Sequence, residues 1–220
     1  MKIEPFELER IQSIYENSVD VNLTESGIEP MSLKELMNNS ELEELLNIPM
    51  GYGYTQGSPD LRDKISLLYE GYSSKNILVT SGSSEAIFLT ALLTISKEDQ
   101  LVMMTPNYLS LDGIASFIGA KVSFVTLEEN LSWSLDLEKL RNTVSKKTKI
   151  ISVCNPNNPT GSVMTLSDMQ EVVNIASSVG AYIHSDEVYI GAELSGSLTT
   201  SFQALYDKTI VTSGLSKSYS

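Results

Sequence analysis

The stretch "KIISVCNPNNPTGSVMTLSDMQEVVNIASSVGAYIHSDEVY", residues 149–189, decides the fold. It opens on a short β-rich run (149–153) and passes through a loop of Asn, Pro and Gly. In the segment that follows, Leu166, Met169, Val172, Val173 and Ala176 fall on one helical stripe, which Gly180 stops as a C-cap. "AYIH" (181–184) then begins a second β-rich run. Strands and helices in alternation imply a largely parallel sheet with helices on both faces.

The same rhythm extends outward from Ile77. "ILVT" (77–80), "LVMM" (101–104), "VSFVTL" (122–127) and "TIVT" (209–212) read as further strands. "EAIFLTALLTI" (85–95) is apolar nearly all round, as expected of a helix buried on several sides. Upstream, "SLKELMNNSELEELL" (32–46) and "LRDKISLLYEGY" (61–72) have helical period and flank the turn-rich "GYGYTQGSPD". The expected fold class is α/β, a three-layer sandwich around a mostly parallel sheet.

Composition narrows the function. A net charge of -13, with acidic residues spread along 220 residues, argues against nucleic acid or a membrane surface as partner, because phosphate binding needs clustered Lys and Arg. One cysteine, Cys154, cannot make an internal disulfide, and with one histidine, His184, no metal-ligand spacing exists. The N-terminal "MKIEPFELERIQ" is charged where a signal peptide is apolar, and no run approaches the length of a membrane span, so a cytoplasmic protein is expected.

Ligands of open α/β sheets collect at the carboxyl ends of the strands. After "ILVT" comes "SGSSEA", where free backbone N–H groups and the hydroxyls of Ser83 and Ser84 suit a phosphate; taken alone, a serine before a helix is more often an ordinary N-cap. After "LVMM", Tyr108 stands at the strand mouth, placed either to stack on a planar ligand or simply to pack. "NPNNPTG" (155–161) presents the Asn158 amide between prolines. "SDEVY" (185–189) sets Asp186 beside Glu187, which point to opposite faces of an extended chain, so at most one enters a given site. Asp186 shares its face with His184, and "TIVT" delivers Lys217. A lysine for a Schiff base, a carboxylate for a ring nitrogen, donors to a ring oxygen, an aromatic face and a phosphate cradle are together what pyridoxal 5'-phosphate requires.

At Tyr52, Gly57, Leu61 and Arg62, and at "SGSSEA", "NPNNPTG", "SDEVY" and "GLSKSY", the chain resembles the class I/II aminotransferases, fold-type I pyridoxal-phosphate enzymes. The resemblance runs in family order across residues 52–219. It implies an aminotransferase that moves an amino group between an amino acid and a 2-oxo acid; a lyase, cyclase or synthase of the same fold, or an inactive fragment, is the alternative. By resemblance Lys217 is both the covalent anchor of the cofactor and a general base, and Asp186 keeps the pyridine nitrogen protonated. Asn158 and Tyr189 donate to the ring oxygen, Tyr108 stacks on the ring, and Gly82, Ser83 and Ser84 cradle the phosphate. Tyr52 matches a tyrosine that reaches the neighbouring subunit's phosphate, which implies a homodimer.

The bland readings keep other residues: His184 lies under the site, Cys154 is a small buried hydrophobe, Glu187 is structural, and Arg62 packs or pairs at a helix start. Gly214 stands where relatives carry a phosphate-binding serine, a role open to Ser213 or Ser216. Residues 1–50 are expected to form a helical segment of the small domain and dimer arm, and 51–220 a large cofactor-binding domain that is incomplete at its C-terminus. In the family, a strand after the lysine inserts between "ILVT" and "TIVT", so two unpaired edges are expected here. Gly27, in "TESGIEP", is expected to border the substrate.

Overall fold

Five parallel strands form one sheet in the order β2-β1-β3-β4-β5. They are β1 (Gln100–Thr105), β2 (Lys121–Thr126), β3 (Thr148–Cys154), β4 (Tyr182–Asp186) and β5 (Thr209–Thr212). This computed structural model describes residues 5–219, so the first four residues of the charged N-terminal stretch, and Ser220, lie outside the described residues. Nine α-helices accompany the sheet among the described residues: α1 (Glu7–Tyr15), α2 (Leu33–Leu36), α3 (Asn39–Leu46), α4 (Pro59–Ser66), α5 (Gly82–Thr94), α6 (Leu111–Ile118), α7 (Leu137–Thr143), α8 (Leu166–Val179) and α9 (Leu215–Ser218).

The strand period of two sorts the core into two layers. Leu101 and Met103 of β1 join Ile150 beneath α5 and α6, while Val102 and Met104 join Val125, Ile151, Val153 and Ile183 beneath α7 and α8. This is the expected three-layer α/β arrangement. Side chains as enclosed as Ile150 and Ile183, both fully buried, each contribute about 2–3 kcal/mol. The stripe on α8 is the one expected apart from Leu166, which is exposed, and Gly180 ends the helix with a φ of 73°.

Three expectations change. Residues 77–80, "ILVT", join no ladder; the Val79 N–H donates to the Gln56 carbonyl at 3.1 Å instead. Strand propensity becomes a strand only when a partner supplies the alternate donors and acceptors. β5 pairs with β4 alone and no described strand adjoins its outer edge. Second, α5 is buried on one side only: Ile87, Thr90 and Ala91 face the core, whereas Phe88, Leu92 and Leu93 are exposed because α6 and the sheet cover a single face. Third, 32–46 is two helices. Asn38 interrupts it, its side-chain oxygen accepting from the Ser40 and Glu41 N–H groups to cap α3. No described helix is long and apolar enough to cross a membrane.

The turn before α4 is fixed by close approach. Gly57 has a φ of 92°, and a Cβ there would lie 2.5 Å from Val79. Among the described residues Arg62 forms no ion pair; its guanidinium donates to the carbonyls of Gly57 at 3.1 Å and Ser74 at 2.8 Å, tying this turn to the approach to α5. Gly57→Ala is therefore expected to cost about 3 kcal/mol in chemical unfolding, combining a left-handed alanine with overpacking. In a Val79→Gly background, where the contacted atoms are gone, the cost should shrink to about 1 kcal/mol. Equal costs in both backgrounds would show that the approach to Val79 is not what requires glycine.

Candidate functional site

Parallel strands end on the same side, and the register locks that side here. Cys154 of β3 is the partner of Asp186 in β4, which is the partner of Thr212 in β5. The loops bearing Asn158, Tyr189 and Lys217 therefore leave one edge of the sheet, joined by the β1 loop that carries Tyr108. Beneath them His184 is buried across three strands, Nδ1 2.9 Å from Ser152 Oγ and Nε2 3.0 Å from Thr212 Oγ1. Burial pushes its pKa down to about 4, so the imidazole is neutral, one nitrogen donating and the other accepting.

Asp186 and Glu187 take opposite faces. Glu187 turns inward, where Oε1 accepts from Ser185 Oγ at 2.8 Å, Ser201 Oγ at 2.9 Å and the Phe202 N–H at 3.1 Å. Its second oxygen is buried without a partner among the described residues, and burial raises its pKa to about 7. It anchors the 201–202 turn, as the structural reading expected. Asp186 lies on the other face, within electrostatic reach of Tyr108 and Cys154. Its carboxylate accepts one hydrogen bond, from the Val188 N–H at 3.2 Å, and burial lifts its pKa to about 6. No cationic side chain sits beside it among the described residues. Desolvation unopposed by a positive charge is the cause of the shift.

Of the remaining candidates, Tyr108 is within electrostatic reach of this carboxylate. It lies within electrostatic reach of Ser84 at the start of α5 as well, and its hydroxyl donates to Glu9 Oε1 at 2.6 Å. Phe6 meets its ring edge-on, with centroids 4.9 Å apart. Burial raises the Tyr108 pKa, with Glu9 adding to the effect. The Cys154 Sγ donates to the Pro156 carbonyl at 3.2 Å and the Asn155 N–H to the Asp186 carbonyl at 3.0 Å, so the "NPNNPTG" loop is tethered to the carboxylate's own strand. Gly82 has a φ of 76° with open space where a Cβ would stand, and Gly214 lies against Ser83. The first-turn N–H groups of α5 have no partner within the helix.

Lys217 is carried on α9 and fastened from several sides. Ser218 Oγ donates to the Ile190 carbonyl at 3.0 Å, and Ser213 Oγ to the Glu187 carbonyl at 3.3 Å. Nearby, burial pushes the Tyr69 pKa up to about 12. Lys217 Nζ lies 2.8 Å from Glu25 Oε1, and the Tyr189 hydroxyl lies 2.8 Å from Ser26 Oγ. Of the expected residues, Tyr52 stands apart: its side chain is fully exposed. Phe6, Glu9, Glu25 and Ser26 were not anticipated. They come from the opposite end of the chain, and the glycine in "TESGIEP" was the only signal that this segment approaches the site.

The chain matches a family profile described as Aminotransferase class I and II over residues 32–220. It is 33% identical over 173 residues to a probable aspartate aminotransferase of Methanocaldococcus jannaschii, covering 76% of this chain and 45% of that one. A histidinol-phosphate aminotransferase of Methanococcus maripaludis is 28% identical, with 87% and 49% covered. Among solved structures, a PLP-dependent aminotransferase from Streptococcus suis superposes with a TM-score of 0.92 at 36% identity, over all of this chain and 60% of its own. The chain spans about half the length of the curated relatives it matches.

The buried carboxylate has a measurable cost. An unfolded Asp titrates near 4 and Asp186 near 6, so between these values the native chain holds the extra proton and stability falls as the pH rises. Above pH 6 the loss is complete. Asp186→Asn is expected to raise stability at pH 8 by about 2 kcal/mol in urea unfolding without added ligand, the gain vanishing below about pH 4. A destabilised variant at pH 8 would mean that the carboxylate already has a compensating partner.

Proposed function

This chain belongs to the class I and II aminotransferases, and on that premise we propose that it forms part of an enzyme moving an amino group between an amino acid and a 2-oxo acid with pyridoxal 5'-phosphate. The observation that carries this reading is the Asp186 carboxylate, buried at the sheet edge that delivers Lys217 and lacking a cation beside it. A protonated ring nitrogen is a cation of the right kind for that position, and its charge would offset the desolvation that lifts the carboxyl's pKa. The donor set fits the cofactor.

When bound, the cofactor supplies an electron sink for the bond broken at the substrate's Cα. Asp186 would hold the proton on the ring nitrogen that makes the sink effective. Lys217 Nζ would anchor the cofactor and, as a free amine, take the proton from the substrate's Cα. The amide of Asn158 and the hydroxyl of Tyr189 would donate to the ring oxygen, and Tyr108, steadied by Phe6, would offer its ring as a lid. Gly82, Ser83 and Ser84 would receive the phosphate at the positive end of α5.

Tyr52, fully exposed on a turn held by Gly57 and Arg62, suits a contact with a second copy, so we place a homodimer within the same proposal. Residues 1–50 would then serve as small-domain and arm segments, and 51–220 as the cofactor-binding domain.

Adding the cofactor to the purified chain should produce a visible absorbance band from the lysine-bound ligand. Lys217→Ala should lack it, and Asp186→Asn should lower amino-group transfer by about 100-fold or more, the scale of losing one preorganised charge contact. Products from mixed amino acids and a 2-oxo acid separate transfer from elimination. A folded wild-type chain without the band overturns the reading.

A further inference from the structure

The segment Thr24–Ile28 lies over the lysine that the site presents. Glu25 Oε1 accepts from Lys217 Nζ at 2.8 Å and from the N–H groups of Ser26 at 2.8 Å and Gly27 at 2.7 Å, so its own turn orients the carboxylate before the amine meets it. The Ile28 N–H donates to the Lys217 carbonyl at 3.3 Å, which ties the backbone of the same residue. Ser26 Oγ is 2.8 Å from the Tyr189 hydroxyl. Gly27 lies against the lysine stem: a Cβ there would stand 2.9 Å from the Ser216 carbonyl and 3.7 Å from Lys217 Cδ. These contacts join residues 192 positions apart, yet the pair is half exposed, with 27% of the lysine side chain and 53% of the glutamate side chain accessible.

We propose that residues 24–28 form a strap that guards the Lys217 amine, Glu25 holding Nζ as a paired ammonium that must be released before the nitrogen can attack a carbonyl carbon. An ammonium has no lone pair. Nζ first gives one proton to water; its lone pair then adds to the aldehyde carbon, and one water leaves as a C=N bond replaces C=O. Glu25 must let go of Nζ before the nitrogen can reach that carbon. Hydrogen bonds from Lys217 and from the Gly27 N–H hold its carboxyl below the usual glutamate range, so it remains a counter-ion at neutral pH. Ser26 occupies Tyr189 in the same way, so one short segment regulates access to two side chains. The identity of the aldehyde rests on the function proposed above; the guarding of the amine does not.

Two probes separate these ideas. Trace acetylation with acetic anhydride, read by peptide mass spectrometry at pH 8, reports the availability of Nζ to a small reagent, with Lys149 and Lys208 as internal references. Pyridoxal 5'-phosphate followed by borohydride reduction reports attachment of the larger aldehyde. The full chain is used, dialysed free of bound cofactor. Glu25→Gln keeps the shape and removes the charge, and should raise acetylation at Lys217 about threefold, the scale of losing one half-exposed ion pair, with the reference lysines unchanged. Gly27→Val leaves Glu25 in place but pushes the strap from the lysine stem, and should accelerate labelling at least as much. Unchanged Lys217 rates in both variants overturn the guard, even if the cofactor attaches normally. Faster acetylation in the variants, with no attachment of pyridoxal phosphate to Lys217 in any of them, supports the guard and removes the proposed function.

Discussion

The parallel ladder of β3, β4 and β5 is the constraint from which the site follows. Its register aligns Cys154, Asp186 and Thr212 in one row, and His184 pins the row beneath through hydrogen bonds to Ser152 and Thr212 on both neighbouring strands. Because side chains alternate along a strand, a slip of one residue would turn Asp186 into the core and Glu187 toward the loops. The buried neutral imidazole opposes that slip: displaced by one position it would lose both hydroxyl partners, at the cost of an unsatisfied polar group in the core.

Burial then divides the two adjacent carboxyls by function. Both have raised pKa values from the same cause, desolvation, but Glu187 is surrounded by three donors and stabilises a turn. Asp186 has a single backbone donor and faces the loop cluster. A group left with so little compensation is the kind found where a ligand supplies the rest, since stability is given up locally for a later interaction. His184 acts oppositely on stability: its depressed pKa means the unfolded chain takes up the proton first as the pH falls from 6.5 to about 4, so the fold loses in acid what Asp186 and Glu187 partly return.

The N-terminal segment is the less firmly held part of the site. Helices α1, α2 and α3 carry no buried residues, and the segment touches the sheet edge through a few polar and aromatic contacts, Phe6 and Glu9 at Tyr108, Ser26 at Tyr189 and Glu25 at Lys217. Contacts with so little apolar burial open at small free-energy cost. The core strands, enclosed from both faces, fix the row on which the proposed chemistry depends, while this segment is suited to adjusting access to it.

Much was legible in the sequence because it depends on local chemistry. The alternation of short β-rich runs with helices and the stripe on α8 capped by Gly180 specify a parallel α/β sheet, and the run of polar loops after successive strands marks which edge bears Tyr108, Asn158, Asp186 and Lys217. The opposite facing of Asp186 and Glu187 also follows from strand geometry alone. What only the tertiary structure decided involves partners distant in the chain. Residues 77–80 have strand composition but no ladder, since hydrogen-bonding partners are not encoded in the segment that needs them. The apolar helix α5 is covered on one face, since coverage belongs to its neighbours. The pairing of Glu25 with Lys217 has no local signature, since an ion pair across nearly the whole chain exists only once the fold has brought its two ends together.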